Sequence, residues 1–202
     1  MSFGALYLGP AIADFMAGYS DLKIELTLND RFIDPLEEGV DVTVRIGILQ
    51  DSSLIARRLS PARRVLVAAP SYLKRYGIPK LPDDLAQHRC LAYGHSTTLQ
   101  RWELTQNGQT IHVPVNSVLC SNNGDVLRAA AVRGQGITTL PTFLVGSDVK
   151  ARRLKVVLPD YPPTALGIYA LYAPNRYLAA KTRLLIDFLV SRFGDKPDWD
   201  NF

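Results

Sequence analysis

Cysteine is scarce in this sequence of 202 residues, and long apolar runs are absent. The two cysteines, Cys90 and Cys120, are too few to build a disulfide framework in a chain of this length. No apolar run approaches the roughly 20 residues that a membrane-spanning helix needs. The amino-terminal segment, MSFGALYLGPAIADF, lacks the basic start and the small-residue cleavage site of a signal peptide. These absences favour a cytoplasmic protein with no membrane partner, although a mature secreted chain would also lack its signal.

Motifs for catalysis and for cofactor binding are also missing. The sequence contains no G-x-S-x-G nucleophile elbow and no G-x-x-x-x-G-K-[ST] phosphate loop. The three histidines, His88, His95 and His112, are far apart, and the cysteines form no C-x-x-C pair, so the spacing does not favour a metal site. We therefore predict no catalytic residue, no metal and no cofactor, and we expect a protein that is not an enzyme.

The composition is that of an ordinary globular protein with a mild positive charge. Apolar residues make up 47% of the chain and charged residues 21%, which is enough apolar material for a substantial core. The 23 lysines and arginines exceed the 19 acidic residues by four, giving a formal net charge of +4. This excess suits a protein that binds anions, but it is too small and too dispersed to indicate nucleic-acid binding by itself.

Hydrophobic periodicity predicts an α/β fold. The first third predicts a helix over 5–18, a strand over 23–30, a short helix begun by Asp34 and Pro35, and a strand over 40–46. Strands joined by helices imply parallel pairing. The later predicted elements include strands over 64–69, 136–140 and 166–173, a hairpin over 102–115 that turns at Asn107-Gly108, and helices over 126–134 and 178–193.

Polar turns at the ends of the predicted strands are the candidate binding residues. Ligands of open α/β sheets collect at the carboxyl ends of strands and at the helix N-termini that follow. Arg45 could hold a carboxylate in a bidentate pair or form only a surface ion pair. The turn over 122–125 could bind an anion or act only as a helix N-cap. We interpret the pairs Arg57-Arg58, Arg63-Arg64 and Arg152-Arg153 as solvated faces.

Several segments in combination resemble the effector-binding half of LysR-type transcriptional regulators. They are the strand end DVTVRIG, the segment AAPSYL, the segment PDDL and the helix start NNGD. Each segment alone would be a weak match. Together, and in this order, they extend the resemblance over nearly the whole chain, from about Phe3 to Trp199.

The resemblance implies an α/β fold of the type II periplasmic-binding-protein kind. In that fold, two Rossmann-like lobes are joined by two crossover strands and enclose a small-molecule site. Lobe I is expected over 1–69 plus 174–202 and lobe II over 70–173, with the crossovers near Ala68 to Pro70 and Tyr172 to Pro174. The family's N-terminal winged helix-turn-helix is absent from this chain, and the strand that normally precedes the first helix of lobe I is missing or cut off.

The resemblance also implies which residues contact an effector. Carried over by position, the candidates are Ser2, Phe3, Asn29, Asp30, Arg45, Ile46, Gly47, Ala69, Tyr93, Asn122, Asn123, Gly124, Asp125, Thr138 and Thr139. The effector is expected to be a carboxylate or another small polar or aromatic metabolite. Because Arg45 is the one basic residue of this set, it is the natural candidate for an acidic group on the effector.

The partners implied by the resemblance are a second copy of the chain and, indirectly, DNA. In this family the first helix packs on the second-lobe helix of another subunit, so a homodimer through about 5–18 and 125–134 is expected, with a tetramer as the full-length alternative. DNA would be bound only through the missing N-terminal domain. Two other hypotheses stay open: a solute-binding protein of a transport system, and a small enzyme on the same two-lobed scaffold.

Overall fold

The computed structural model describes residues 1–29, 39–49, 51–96, 100–174 and 179–202. The chain forms two compact units, unit 1 with Met1, Phe3–Ala62 and Leu166–Asp198, and unit 2 with Ser2, Arg63–Ala165 and Trp199–Phe202. The helices are α1 (Gly9–Ala17), α2 (Pro70–Tyr76), α3 (Gly124–Val132), α4 (Thr142–Lys150) and α5 (Ala180–Phe193). The strands are β1 (Thr43–Gly47), β2 (Ile55–Ala62), β3 (Arg64–Ala68), β4 (Arg89–Tyr93), β5 (Arg101–Gln106), β6 (Gln109–Pro114), β7 (Asn116–Ser121), β8 (Ile137–Pro141), β9 (Lys155–Val157) and β10 (Leu166–Tyr172).

Two helices of unit 1 confirm the helical periodicity at the two ends of the sequence. A π-helical turn (Gly4–Leu8) leads directly into α1, so the helical backbone continues without a break through Pro10. Phe15 of α1 packs against Phe188 of α5, with the ring centroids 5.2 Å apart. Among the described residues, no helix combines the length and the apolar character needed to cross a membrane.

The sheet of unit 1 has three described strands in the order β1-β10-β2, and both pairings are antiparallel. The parallel pairing predicted for the first third of the chain is therefore wrong for these strands. The reason is topological, because the neighbour of β1 is β10, which lies more than a hundred residues later in the chain. Sequence-local reasoning cannot identify such a partner.

The strand predicted over 23–30 is not formed by the described residues 22–29. Their side chains alternate as a strand requires, but a strand also needs a hydrogen-bonded neighbour, and no described strand pairs with them. Leu26 and Leu28 stay 42% and 37% exposed as a result. The short helix predicted at Asp34 and Pro35 lies outside the described residues.

Unit 2 is built on a five-stranded mixed sheet in the order β7-β4-β8-β3-β9. The pairs β4–β7 and β4–β8 are parallel, as expected for strands that are linked by connections containing a helix or a hairpin. The strand β3 runs antiparallel to both β8 and β9. Consequently β3 begins at the edge of the sheet where β4, β7 and β8 end.

The hairpin of unit 2 confirms the turn predicted at Asn107-Gly108. Strands β5 and β6 pair in register up to Gln106 and Gln109, and both turn residues have positive φ, 51° at Asn107 and 79° at Gly108. Trp102 and Leu104 of β5 are buried in the core of unit 2. The core joins the hairpin to the sheet and to α2, and its fully buried members include Leu66, Tyr72, Leu85, Cys90 and Ile137.

One buried polar pair lies within this core. The Tyr72 hydroxyl accepts a hydrogen bond from the Arg89 backbone N–H at 2.9 Å and lies 3.1 Å from His88 Nδ1. Burial lowers the pKa of His88 below its ordinary value and raises the pKa of Tyr72. Because the Tyr72 oxygen already accepts from the Arg89 N–H, the Tyr72 hydroxyl proton can be donated to His88 Nδ1 in the tautomer where that nitrogen carries no proton.

The boundaries between the two units fall at different residues from the predicted lobe boundaries. The chain passes from unit 1 to unit 2 between Ala62 and Arg63 and returns between Ala165 and Leu166. Strand pairing explains both positions, because β3 is paired entirely within unit 2 and β10 entirely within unit 1. The last four residues, Trp199–Phe202, also group with unit 2, where Trp199 meets the edge of Phe143. The lobe assignment of 1–69 plus 174–202 and 70–173 stays a prediction.

Candidate functional site

The carboxyl edge of the unit 2 sheet brings several predicted binding residues together. Tyr93, the last residue of β4, pairs with Ser121, the last residue of β7, because the two strands are parallel. The Gly94 N–H donates to the Ser121 carbonyl at 3.0 Å and continues this alignment past the strand ends. The Tyr93 side chain is 53% exposed. An aromatic ring and a polar turn therefore lie side by side at one edge of the sheet.

The turn after β7 is held by its own side chains. Ser121 Oγ accepts from the Asn123 N–H at 3.1 Å, and Asn123 Oδ1 accepts from the backbone N–H groups of Asp125 at 2.9 Å and Val126 at 3.3 Å. Asn123 is therefore the N-cap of α3, the structural alternative left open by the sequence. Asn122, by contrast, is exposed. We call Tyr93, Gly94 and Ser121–Asp125 the polar edge of unit 2.

Gly124 allows α3 to start close to α4. A Cβ atom added at Gly124 would lie 2.7 Å from Leu144 Cδ2, so the Leu144 side chain would have to shift to admit a larger residue. The carboxylate of Asp125, in the first turn of α3, accepts a hydrogen bond from Ser2 Oγ at 2.6 Å, and Ser2 belongs to unit 2 by its contacts. Because Asp125 already offsets the positive end of the helix dipole, the N-terminus of α3 by itself does not select an anion.

Ala69 and Thr138 do not lie at the polar edge. Ala69 follows β3, which runs antiparallel to β8, so it lies at the opposite edge of the sheet and is buried as the N-cap of α2. Thr138 is fully buried, and its hydroxyl donates to the Leu91 carbonyl at 2.9 Å. Its role is to satisfy a core hydrogen bond. Thr139, half-buried, pairs with Leu66 of β3.

The predicted residues of unit 1 have mixed environments. Arg45, Ile46 and Gly47 are half-buried at the end of β1, opposite β10. Phe3 is only 5% exposed, and its ring packs on the rings of Tyr7 and Phe193 at centroid distances of 5.6 and 5.3 Å. Phe3 is therefore a core residue of unit 1.

Two further predicted residues of unit 1 lie at the end of the segment predicted as a strand over 23–30. Asn29 is exposed and belongs to the segment that forms no strand. Asp30 lies outside the described residues. The described part of unit 1 therefore keeps Arg45, Ile46 and Gly47 as its binding candidates, at the end of β1.

Two of the arginine pairs that we interpreted as solvated faces contain an arginine whose guanidinium has a definite partner within the protein. Arg64 Nε and Nη2 donate to the Thr164 carbonyl at 3.0 and 2.8 Å, and burial lowers the pKa of Arg64. Arg153 pairs through Nε with the buried carboxylate of Asp148 at 2.6 Å, and Arg128 pairs with the other oxygen of that carboxylate. No sequence signal distinguishes these arginines, because their acceptors are 100, 5 and 20 residues away.

The cysteines and the metal-ligating side chains do not form a reactive centre in the described residues. Burial raises the pKa of Cys90 to about 12, so its thiol is protonated at neutral pH. Cys120 is half-buried near the polar edge, and neither cysteine forms a disulfide. Within the described ranges, no three His, Cys, Asp or Glu side chains are grouped as metal ligands.

Comparison with known families gives a match over almost the whole chain. The family model described as the LysR substrate binding domain matches residues 1–194. An uncharacterised HTH-type transcriptional regulator of Haemophilus influenzae is 37% identical over 179 residues, covering 89% of this chain and 62% of that protein. The transcriptional activator TtdR of Escherichia coli K12 is 33% identical and covers 97% of this chain and 64% of its own length. The chain spans about three-fifths of the length of the curated relatives that it matches.

Solved structures of similar fold come from the same family. The regulatory domain of CrgA, a LysR-type regulator of Neisseria meningitidis, superposes with a TM-score of 0.83 at 29% identity, covering 96% of this chain and 95% of that one. The full-length virulence activator AphB of Vibrio cholerae gives a TM-score of 0.80 at 31% identity and covers 94% of this chain and 64% of its own. These matches confirm the predicted fold class, an α/β fold of the type II periplasmic-binding-protein kind.

Proposed function

We propose that this chain, which belongs to the LysR substrate-binding domain family, is the effector-sensing part of a DNA-binding transcriptional regulator. The match of the family model over residues 1–194 carries the proposal. The relatives bear names of transcriptional regulators, which favours this function over a transport solute-binding protein or an enzyme. We infer that the chain works in the cytoplasm, since a regulator of transcription must reach DNA.

The polar edge of unit 2 supports a site for a small polar ligand. It offers the exposed ring of Tyr93, the exposed amide of Asn122 and the carboxylate of Asp125. Such a mixture of one aromatic surface and a few placed polar groups is typical of small-molecule sites. Because Asp125 repels a second anion there, we assign the recognition of an acidic group on the effector to Arg45 of unit 1. A small carboxylate or an aromatic metabolite is the effector class that these residues would take.

A thermal-shift screen tests effector binding. Aliphatic dicarboxylates and aromatic carboxylates would be titrated separately. A ligand that binds only the folded chain stabilises it by about 2.7 kcal/mol at a hundred times its Kd, and this stabilisation raises the unfolding midpoint. For a carboxylate that raises the unfolding midpoint, Arg45→Ala should abolish the shift. Arg57→Ala, an exposed arginine on β2, is the matched control and should keep it. An unchanged shift in Arg45→Ala would reject the role of Arg45.

The polar edge is tested with a pair of asparagines on one strand–turn segment. Asn122→Ala removes an amide at the carboxyl end of β7 and should weaken binding of the same carboxylate about tenfold. Asn116→Ala removes an exposed amide at the start of β7, on the opposite edge of the sheet, and should leave the affinity unchanged. Equal affinities in the two variants would exclude the polar edge from the effector site.

We further propose that the chain self-associates through α1 and α3 and that DNA is bound by a part of the parent regulator outside the matched region. Exposed apolar side chains support the first point, since Met16 on α1 and Val126 on α3 are 38% and 47% exposed. Sedimentation of the Val126→Glu variant should show a shift from dimer to monomer. Specific retardation of operator DNA by these 202 residues alone would contradict the second point.

A further inference from the structure

A groove lined by three arginines lies at the edge of the unit 2 sheet opposite the polar edge. It is formed where α2 ends, where β4 begins and where the chain turns after α3, and its volume is about 400 Å³. Its lining residues are Ser71, Tyr72, Arg75, Tyr76, Arg89, Arg133, Gly134 and Gln135. We call it the arginine groove. The size lies within the range of small-molecule sites.

The arginine groove carries positive charge without a matching acid. None of its lining residues is acidic. Among the ion pairs between described residues, none involves Arg75, Arg89 or Arg133. Three guanidinium groups that share one concave surface repel each other, and this repulsion is relieved when an anion binds between them.

Each guanidinium is positioned but not saturated. Arg89 Nε donates to the Gln135 carbonyl at 3.2 Å, and Arg133 Nη1 donates to the Ala129 carbonyl at 3.2 Å. Arg75 stacks on the ring of Tyr76, with its Cζ 5.2 Å from the ring centroid. A guanidinium has five N–H donors, so each of these groups keeps donors for a ligand while part of its conformational freedom is already lost.

Helix capping explains only part of this arrangement. Arg75 lies in the last turn of α2, and Arg133 is the C-cap of α3, where a positive charge stabilises the helix dipole. Arg89 is on a strand, at the first position of β4, and has no helix end of its own to neutralise. With Arg89, three guanidinium groups line one groove. Each guanidinium can donate two parallel hydrogen bonds, which suits the bidentate recognition of oxyanions.

We propose that the arginine groove binds a multivalent phosphate-class oxyanion. The groove is separate from the polar edge, since the two lie at opposite ends of β4 and of α3. The helix α3 connects them, with Asn123 capping it at one end and Arg133 at the other. An oxyanion in the groove would therefore order the C-terminal end of the same helix whose N-terminal end belongs to the candidate effector site.

Pyrophosphate is the probe for this proposal. Calorimetric titration and the thermal unfolding midpoint would be measured with pyrophosphate and with sodium chloride at the same ionic strength. We expect saturable binding and a higher midpoint with pyrophosphate only. Arg89→Gln combined with Arg133→Gln should weaken binding at least tenfold, because it removes two of the three forks. No stabilisation beyond that of chloride would overturn the proposal.

Matched variants separate a specific site from general charge. Arg101→Gln removes one charge from an exposed position on β5 of the same unit and should leave the pyrophosphate affinity unchanged. Arg75→Gln is the variant to use if the double variant does not fold, since within the described ranges the Arg75 side chain has its ring contact with Tyr76 and no ion pair, and it should weaken binding about threefold. A loss of binding in Arg101→Gln equal to that in the groove variants would overturn the assignment.

Discussion

Units 1 and 2 are built on sheets of different type, one antiparallel and one mixed, and they also differ in how completely their strands are covered. In unit 2 the three central residues of β4 are all buried, whereas every residue of β1 in unit 1 is only half-buried. The strand β4 lies between two parallel partners, and β1 is the edge of the described three-stranded sheet. The comparison teaches that unit 2 carries a closed hydrophobic core, while the described part of unit 1 leaves apolar side chains such as Ile48 in contact with water.

The two units also differ in how they use charge. In unit 2 a fully buried carboxylate, Asp148, is held between Arg128 and Arg153 and ties α4 to α3 and to the turn after α4. In unit 1 the pair between Arg192 and Asp14 joins α5 to α1 with both side chains more than half exposed. Buried charges must be paired to be tolerated, whereas exposed pairs contribute little. Charge is therefore a structural element in unit 2 and a surface feature in unit 1.

The largest expected effect compares a core deletion in each unit. Leu91→Ala, in the buried centre of β4, should reduce the free energy of unfolding by about 3 kcal/mol, because it loses burial and leaves a cavity. Val44→Ala, on half-buried β1, should reduce it by about 1 kcal/mol. Urea denaturation followed by circular dichroism measures both. Equal losses of unfolding free energy in the two variants would show that β1 is as well covered as β4.

A comparable effect is expected from the two ion pairs. Asp148→Asn should lower the free energy of unfolding by about 3 kcal/mol, because two arginines lose their shared buried charge. Asp14→Asn is the matched change in unit 1 and should lower it by less than about 0.5 kcal/mol. The thermal midpoints of the two variants give the measurement. A large effect of Asp14→Asn would remove the distinction between structural and surface charge.

The smallest effect is a pH dependence that belongs to unit 2, where all three histidines lie. Burial lowers the pKa of His88 in the folded chain below its unfolded value of about 6.5. Its contribution to stability is therefore complete above about pH 6.5 and is lost as the pH falls through the folded pKa. We expect a loss of less than about 1 kcal/mol between pH 7 and pH 5, because a single histidine with a lowered pKa contributes to this range.

The His88→Asn variant checks this prediction. Asparagine keeps an acceptor near the Tyr72 hydroxyl but does not titrate, so the decline of unfolding free energy towards pH 5 should become shallower. His112→Asn, exposed on β6, is the control and should keep the original slope. The same slope in all three proteins would show that the titration of His88 does not contribute.

Most of the elements of unit 2 were predictable from the sequence, because their signals are local. The helix predicted over 126–134 is observed as α3, and the Asn107-Gly108 turn closes the hairpin as expected. The polar edge was also partly predictable, since Asn122 to Asp125 follow a strand and open a helix. Ala69 and Thr138 lie away from the polar edge, because their positions depend on the direction of β3 and on the face of β8, which only strand pairing determines.

The amino-acid sequence by itself determined the α/β class, the family, and the helices and turns whose periodicity and capping residues act within a few positions of each other. Only the tertiary structure decided which strands pair, because hydrogen-bonded partners such as β1 and β10 are separated by most of the chain. It also decided the roles of the arginines. Arg64, Arg153 and Arg89 are chemically alike in the sequence. Their surroundings in space make Arg64 a half-buried hydrogen-bond donor, Arg153 an ion-pair partner of Asp148 and Arg89 a lining residue of the arginine groove.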